Sequence, residues 1–154
     1  MICVAPFESP FGSLLLGSNG RALVSLRFGK GERSGPESLF VPAFRWLDSY
    51  FAGVSSPLPP IEPAGTDFQQ LVWQTCSRIP RGSTLTYGEL AAMAGVPRAC
   101  RAVGTALARN PLLLMVPCHR VLPASGGVGQ YVAGEAIKRR LLQWEMIDKC
   151  LVRV

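Results

Sequence analysis

With 154 residues, 48% of them hydrophobic, the chain suffices for one ordinary domain or two small ones, and its composition argues against disorder. No apolar run reaches the eighteen or so residues of a membrane span, and the stretch to Gly17 lacks a basic flank, so neither a membrane anchor nor a signal peptide is expected. Five cysteines at irregular spacing, a single histidine (His119) and no C-x-x-C pair argue against a disulfide framework and a local zinc site; a cytoplasmic setting without metal is expected.

The net charge is +6, and it is unevenly placed. Residues 1–63 hold five Lys/Arg and five Asp/Glu, whereas residues 64–154 hold eleven and five. The sequence therefore divides into a neutral module, 1–63, and a basic module, 64–154. The excess charge fits either a polyanion-binding face or a solvated basic surface.

In chain order, residues 2–5 and 13–28 read as short strands, the latter interrupted by the turn signal Ser18-Asn19-Gly20. Pro42 opens a helix through Phe44, Leu47 and Phe51. Residues 53–60, rich in proline and serine, form the linker. Thr66 or Asp67 caps a helix reaching Ile79, where Pro80 follows. Thr86-Tyr87-Gly88-Glu89 is a capping box that opens a helix ending at Gly95. A second helix, Arg98 to Arg109, gives the pair the outline of a helix-turn-helix. Its small residues Ala99, Cys100, Ala102, Gly104, Thr105, Ala106 and Ala108 suit a tightly packed core helix or a helix lying against DNA with Arg101 reaching inward.

An apolar, strand-like run from Leu112 to Val116 leads into Pro117-Cys118-His119-Arg120-Val121. A thiol attacks only as thiolate, and an unperturbed cysteine has a pKa of about 8.5, so Cys118 needs a base or a positive charge nearby. His119 is its neighbour, but adjacent residues of an extended segment face opposite sides; a bridging water or a turn is required. Gly126 to Tyr131 is a flexible loop ending in an aromatic able to close over a flat ring. A last helix, Glu135 to about Asp148, directs Leu141, Leu142 and Glu145 inward, where His119 can pair with the carboxylate.

Pro117-Cys118-His119-Arg120-Val121 after Arg109-Asn110-Pro111 resembles the active-site signature of the O6-alkylguanine-DNA alkyltransferases. The likeness extends in family order through Thr86–Ala91, Cys100–Gly104 and Gly129-Gln130-Tyr131, and to Ser9–Gly12 and Leu47–Phe51 near the N-terminus. It implies an α+β protein with a small ribonuclease H-like α/β N-terminal domain and a mainly helical, winged helix-turn-helix-like catalytic domain. It further implies irreversible, single-turnover transfer of a methyl or other small alkyl group from O6-alkylguanine in double-stranded DNA to Cys118, by a monomer without cofactor.

The resemblance assigns roles residue by residue. Glu145, His119 and a water generate the thiolate, and Asn110 holds the active-site turn. Arg101 fills the space of the flipped guanine, Tyr87 pushes on the adjacent phosphate, and Gly88 and Arg98 contact DNA. Tyr131 bonds guanine N3, backbone groups of Cys118 and Val121 read the exocyclic amine, and the Val132 amide faces O6. Arg120 is expected in a structural ion pair. Val132 and Ala133 replace a smaller pair common among relatives, which predicts a pocket too narrow for a benzyl group. The competing reading is a helix-turn-helix regulator with Cys118 as a redox sensor; it leaves Tyr131, Asn110 and Glu145 unexplained.

Overall fold

The computed structural model describes residues 1–153, with side chains as far as Met146. The chain divides into two compact units. The first comprises Met1–Ala64 and Pro111–Leu113; the second comprises Gly65–Asn110 and the chain from Leu114 onward. The first unit holds a three-stranded sheet and the second is mainly helical, an α+β arrangement. Among the described residues no helix is long and apolar enough to cross a membrane.

In the first unit, β1 (Cys3–Ser9), β2 (Gly12–Ser18) and β3 (Leu23–Phe28) form an antiparallel sheet in the order β1-β2-β3. Gly12, at φ 125°, closes the β1–β2 turn in a conformation that side chains rarely adopt. Helix α1 (Val41–Phe51) carries Pro42 in its first turn and buries Ala43, Leu47 and Tyr50, which share one helical face. Phe44 and Phe51 stack on Phe7 of β1 at centroid distances of 5.8 and 6.4 Å. β3 also makes parallel bridges, Leu23 to Ile61 and Leu26 to Leu112.

The sequence predicts a strand over Leu112–Val116, and the structure corrects this. Leu112 bonds the edge of β3 only briefly, through Leu26 N–H to Pro111 O and Leu113 N–H to Leu26 O. Leu114 then takes φ 72°, a rare conformation for a bulky residue, and ends any extended pairing.

In the second unit, α2 (Asp67–Cys76) is capped by Thr66, whose hydroxyl accepts from Gln69 N–H while the Gln69 side chain accepts from Thr66 N–H. The helix stops at Cys76, short of the Ile79 expected, and continues as turns to Pro80. β4 (Leu85–Thr86) pairs in parallel with β5 (Val121–Leu122). Thr86 forms a capping box with Glu89 at the start of α3 (Tyr87–Met93). Helix α4 (Cys100–Ala108) begins two residues later than expected, leaving Arg98 in the preceding turn. Its two faces separate the alternatives seen in sequence: Val103, Ala106 and Leu107 are buried, while Arg101, Thr105 and Ala108 are exposed. Trp73 of α2 donates its indole N–H to Ala106 O at 2.8 Å, which joins α2 to α4. Helix α5 (Glu135–Arg153) runs past the expected end at Asp148 and packs on the Cys118–Arg120 turn.

Candidate active site

The site is built around a sharp reversal. Pro117, at φ −80° and ψ 60°, is the centre of an inverse γ-turn in which Cys118 N–H donates to Val116 O at 2.8 Å. Proline suits this position because its ring already holds φ near this value. Cys118–Arg120 then form one 3₁₀ turn, closed by Arg120 N–H to Pro117 O at 2.9 Å. The turn removes the difficulty of adjacency: Cys118 lines an open cleft while His119 points into the interior, fully buried.

Asn110 fixes the reversal. Its side-chain amide donates to Val116 O at 2.9 Å and to Cys118 Sγ at 3.3 Å. Behind the turn, the buried carboxylate of Glu145 accepts from Arg120 Nε at 3.0 Å and Arg120 Nη2 at 2.8 Å, and lies 2.9 Å from His119 Nε2. Arg120 Nη1 donates to Ile79 O at 2.7 Å, so the guanidinium links α5 to the turn after α2. Fork-to-carboxylate geometry of this kind gives strong, directional bonds.

The charge states follow from these contacts. Burial raises the Glu145 carboxyl, but the bonds from His119 and Arg120 outweigh it and hold the group below the usual carboxylate range. Burial lowers His119; its bond to Glu145 works in the opposite direction, and burial prevails. Neutral His119 with Nε2–H donated to Glu145 leaves Nδ1 as the proton acceptor. Nδ1 is buried and bonds no protein group among the described residues. Burial also pushes the Cys118 thiol up, partly offset by the Asn110 bond and the positive charge of Lys138. The resting thiol therefore needs help to ionise.

Lys138 was not legible as a site residue. It is fully buried, and Nζ donates to Val121 O at 2.8 Å and to Gln130 O at 3.2 Å, tying the glycine-rich loop to β5. Its spacing offered a signal: Lys138, Leu141 and Glu145 lie on one face of α5, the face that also carries the buried carboxylate.

The cleft, about 990 Å³, is lined by Tyr87, Gly88, Arg101, Cys118, Tyr131 and Val132 among others. Val121, expected at the substrate, and Arg98, expected at the DNA, lie outside this lining. Val121 is fully buried behind the cleft wall, with its carbonyl accepting from Lys138. Arg98 lines a separate shallow depression with Val96, Pro97 and Ala99, because it precedes α4 rather than riding on it. Val132 lines the cleft at its rim, 58% exposed, and Ala133 follows it outside the lining. Cys100 also lines the cleft. Among the described residues no cluster of three or more His, Cys, Asp or Glu could hold a metal ion.

A cysteine on a hydrogen-bonded turn, followed by a His–Glu pair and facing a cleft beside a small-residue helix, is the pattern of a group-accepting DNA-repair protein. Residues 67–147 match the family model of the 6-O-methylguanine DNA methyltransferase DNA binding domain, and residues 2–61 match that of the ribonuclease-like domain. The chain belongs to the 6-O-methylguanine DNA methyltransferase family. It is 43% identical to a methylated-DNA–protein-cysteine methyltransferase of Methanosarcina acetivorans, over 92% of this chain and 96% of that protein. A protein of the same description from Mycobacterium leprae is 42% identical over 94% and 93%. The crystal structure of the Mycobacterium tuberculosis O6-methylguanine methyltransferase superposes with a TM-score of 0.86 at 38% identity, covering 96% of this chain and 94% of that one. The M. tuberculosis protein in complex with DNA gives the same TM-score at 39% identity, covering 94% and 93%.

Proposed function

We propose that this protein repairs DNA by transferring a methyl or other small alkyl group from O6-alkylguanine to Cys118, once per molecule. The observation that carries this is the Cys118 thiol in the open cleft, with His119, the next residue of the same turn, paired to buried Glu145. Glu145 orients His119, burial keeps it neutral, and His119 Nδ1 takes the thiol proton through a water. The thiolate attacks the alkyl carbon in line; a sulfur–carbon bond forms as the bond from that carbon to O6 breaks. Guanine leaves with a proton supplied at N3 by the Tyr131 hydroxyl, and the proton taken by His119 returns through water to the Tyr131 phenolate, so the net exchange is alkyl to sulfur and hydrogen to guanine. A thioether has no ready route back to thiol, which makes the reaction stoichiometric. No cofactor enters the balance.

The base must leave the stack to reach Cys118. Exposed Arg101 on α4 is suited to fill the vacated space, and Tyr87 and Gly88 at the start of α3 to meet the phosphate backbone. Arg98 adds a backbone contact outside the cleft. Val132 at the rim offers its amide to O6, and the backbone of Cys118 faces the exocyclic amine. Residues 1–63 and 64–154 act as the two domains, the second carrying DNA binding and catalysis on double-stranded DNA, in a cytoplasmic monomer.

Incubation with duplex DNA carrying a labelled methyl at O6 of one guanine tests the proposal. One label per chain on the protein, with no turnover when DNA is in excess, is the expected result. Release of free methanol or repeated turnover would contradict it.

A further inference from the structure

The short segment after α2 touches both neighbours of the catalytic carboxylate. Ile79 O accepts from Arg120 Nη1 at 2.7 Å, and two residues later the Arg81 guanidinium carbon lies 4.2 Å from the centre of the Trp144 ring. Trp144 directly precedes Glu145 on α5, and Arg120 is the ion-pair partner of Glu145. Arg81 and Trp144 are both half-buried, where a guanidinium over an indole face is attracted more strongly than on an open surface. Glu145 lies well inside α5, so a small roll of the helix about its axis would swing the carboxylate away from His119. A misplacement of about 1 Å in a catalytic array costs on the order of a hundredfold in rate.

We infer that Arg81 is a positioning residue for alkyl transfer: stacked on Trp144, it holds α5 at the rotation from which Glu145 meets His119 and Arg120 together. Ile79 and Arg81 then act as two fixed points on one short segment, the first reaching Glu145 through Arg120 and the second through the helix itself. The inference rests on the alkyl-transfer reading of Cys118.

The test measures single-turnover methyl transfer to the protein from O6-methylguanine duplex, across a range of pH, in Arg81→Ala, Trp144→Leu, the double variant and Trp144→Phe. The groups facing the relay are Arg120 beside Glu145, and Lys138, Cys76 and Tyr87 near Cys118; all stay in place in these variants. Arg81→Ala and Trp144→Leu are each expected to slow transfer about tenfold, the order of a half-buried cation–π contact, and to displace the pH–rate profile. The double variant should be no slower than either single one, and Trp144→Phe, which keeps an aromatic face, should recover most of the rate. Losses that multiply in the double variant, or a pH profile unchanged in both singles, would overturn the inference. Should Arg81→Ala fold poorly, the contrast between Trp144→Phe and Trp144→Leu decides alone. Absence of transfer in the unaltered protein would instead refute the function itself, a separate outcome.

Discussion

Glu145 lies 2.9 Å from His119 although 26 residues separate them, and the same carboxylate is gripped by the Arg120 guanidinium. Both partners arrive on one 3₁₀ turn, so a single acidic side chain orients the base and neutralises the buried cation next to it. Substituting Glu145→Gln removes the charge but keeps the shape. Breaking a buried ion pair by removing one partner costs about 3–5 kcal/mol of stability. Loss of the oriented base should slow transfer on the order of a hundredfold or more. Urea denaturation and single-turnover rates measure the two effects separately; a variant as stable and as fast as the parent would remove Glu145 from the relay.

Lys138 should matter out of proportion to its distance from the chemistry. Lys138→Met keeps the apolar stem and deletes the donor shared by Val121 O and Gln130 O. Leaving buried acceptors unmade costs about 1–3 kcal/mol. The loop between Pro123 and Gln130 should then be cut faster in limited proteolysis, and transfer should slow because Tyr131 follows directly. Unchanged cleavage in the variant would mean that other contacts hold the loop.

Stability should fall on acidification in two stages. His119 is held below its ordinary value of 6.5, so the native state binds fewer protons than the unfolded state just below that pH. Its contribution is therefore lost as pH falls from about 6.5 toward the lowered native value. Glu145 is held below its ordinary 4.5, so its contribution is present above that pH and is lost as pH falls further. Urea midpoints should be flat between about pH 7 and 8, decline toward pH 5, and decline again below about 4.5, with the last stage reduced in Glu145→Gln, where Glu62 paired to Arg21 still contributes. A midpoint constant down to about pH 4 would contradict both assignments.

Much of this was visible in sequence because it is local. The Thr86–Glu89 capping box is a short-range bond pattern, and the Pro42 helix start and the small-residue character of α4 depend only on neighbours. Glu145 could be paired with His119 because a carboxylate directed into a core needs a partner and there is one histidine. What sequence missed depends on tertiary closure. The run from Leu112 to Val116 has the composition of a strand, yet Asn110 binds both Val116 O and Cys118 Sγ, and the chain must turn through Leu114 to allow it. Lys138 gave no sign of a site role because nothing local shows that two carbonyls converge on its ammonium.

The central claim is that Cys118 itself becomes the alkyl acceptor. Peptide mapping by mass spectrometry, after reaction with duplex DNA containing one O6-methylguanine, tests this directly, with Cys118→Ser as the control. The expected result is a single added methyl on the peptide carrying Cys118, with Cys3, Cys76, Cys100 and Cys150 unmodified, and no transfer to the Ser variant despite retained DNA binding. A methyl found on another cysteine, or stoichiometric transfer to Cys118→Ser, would contradict it.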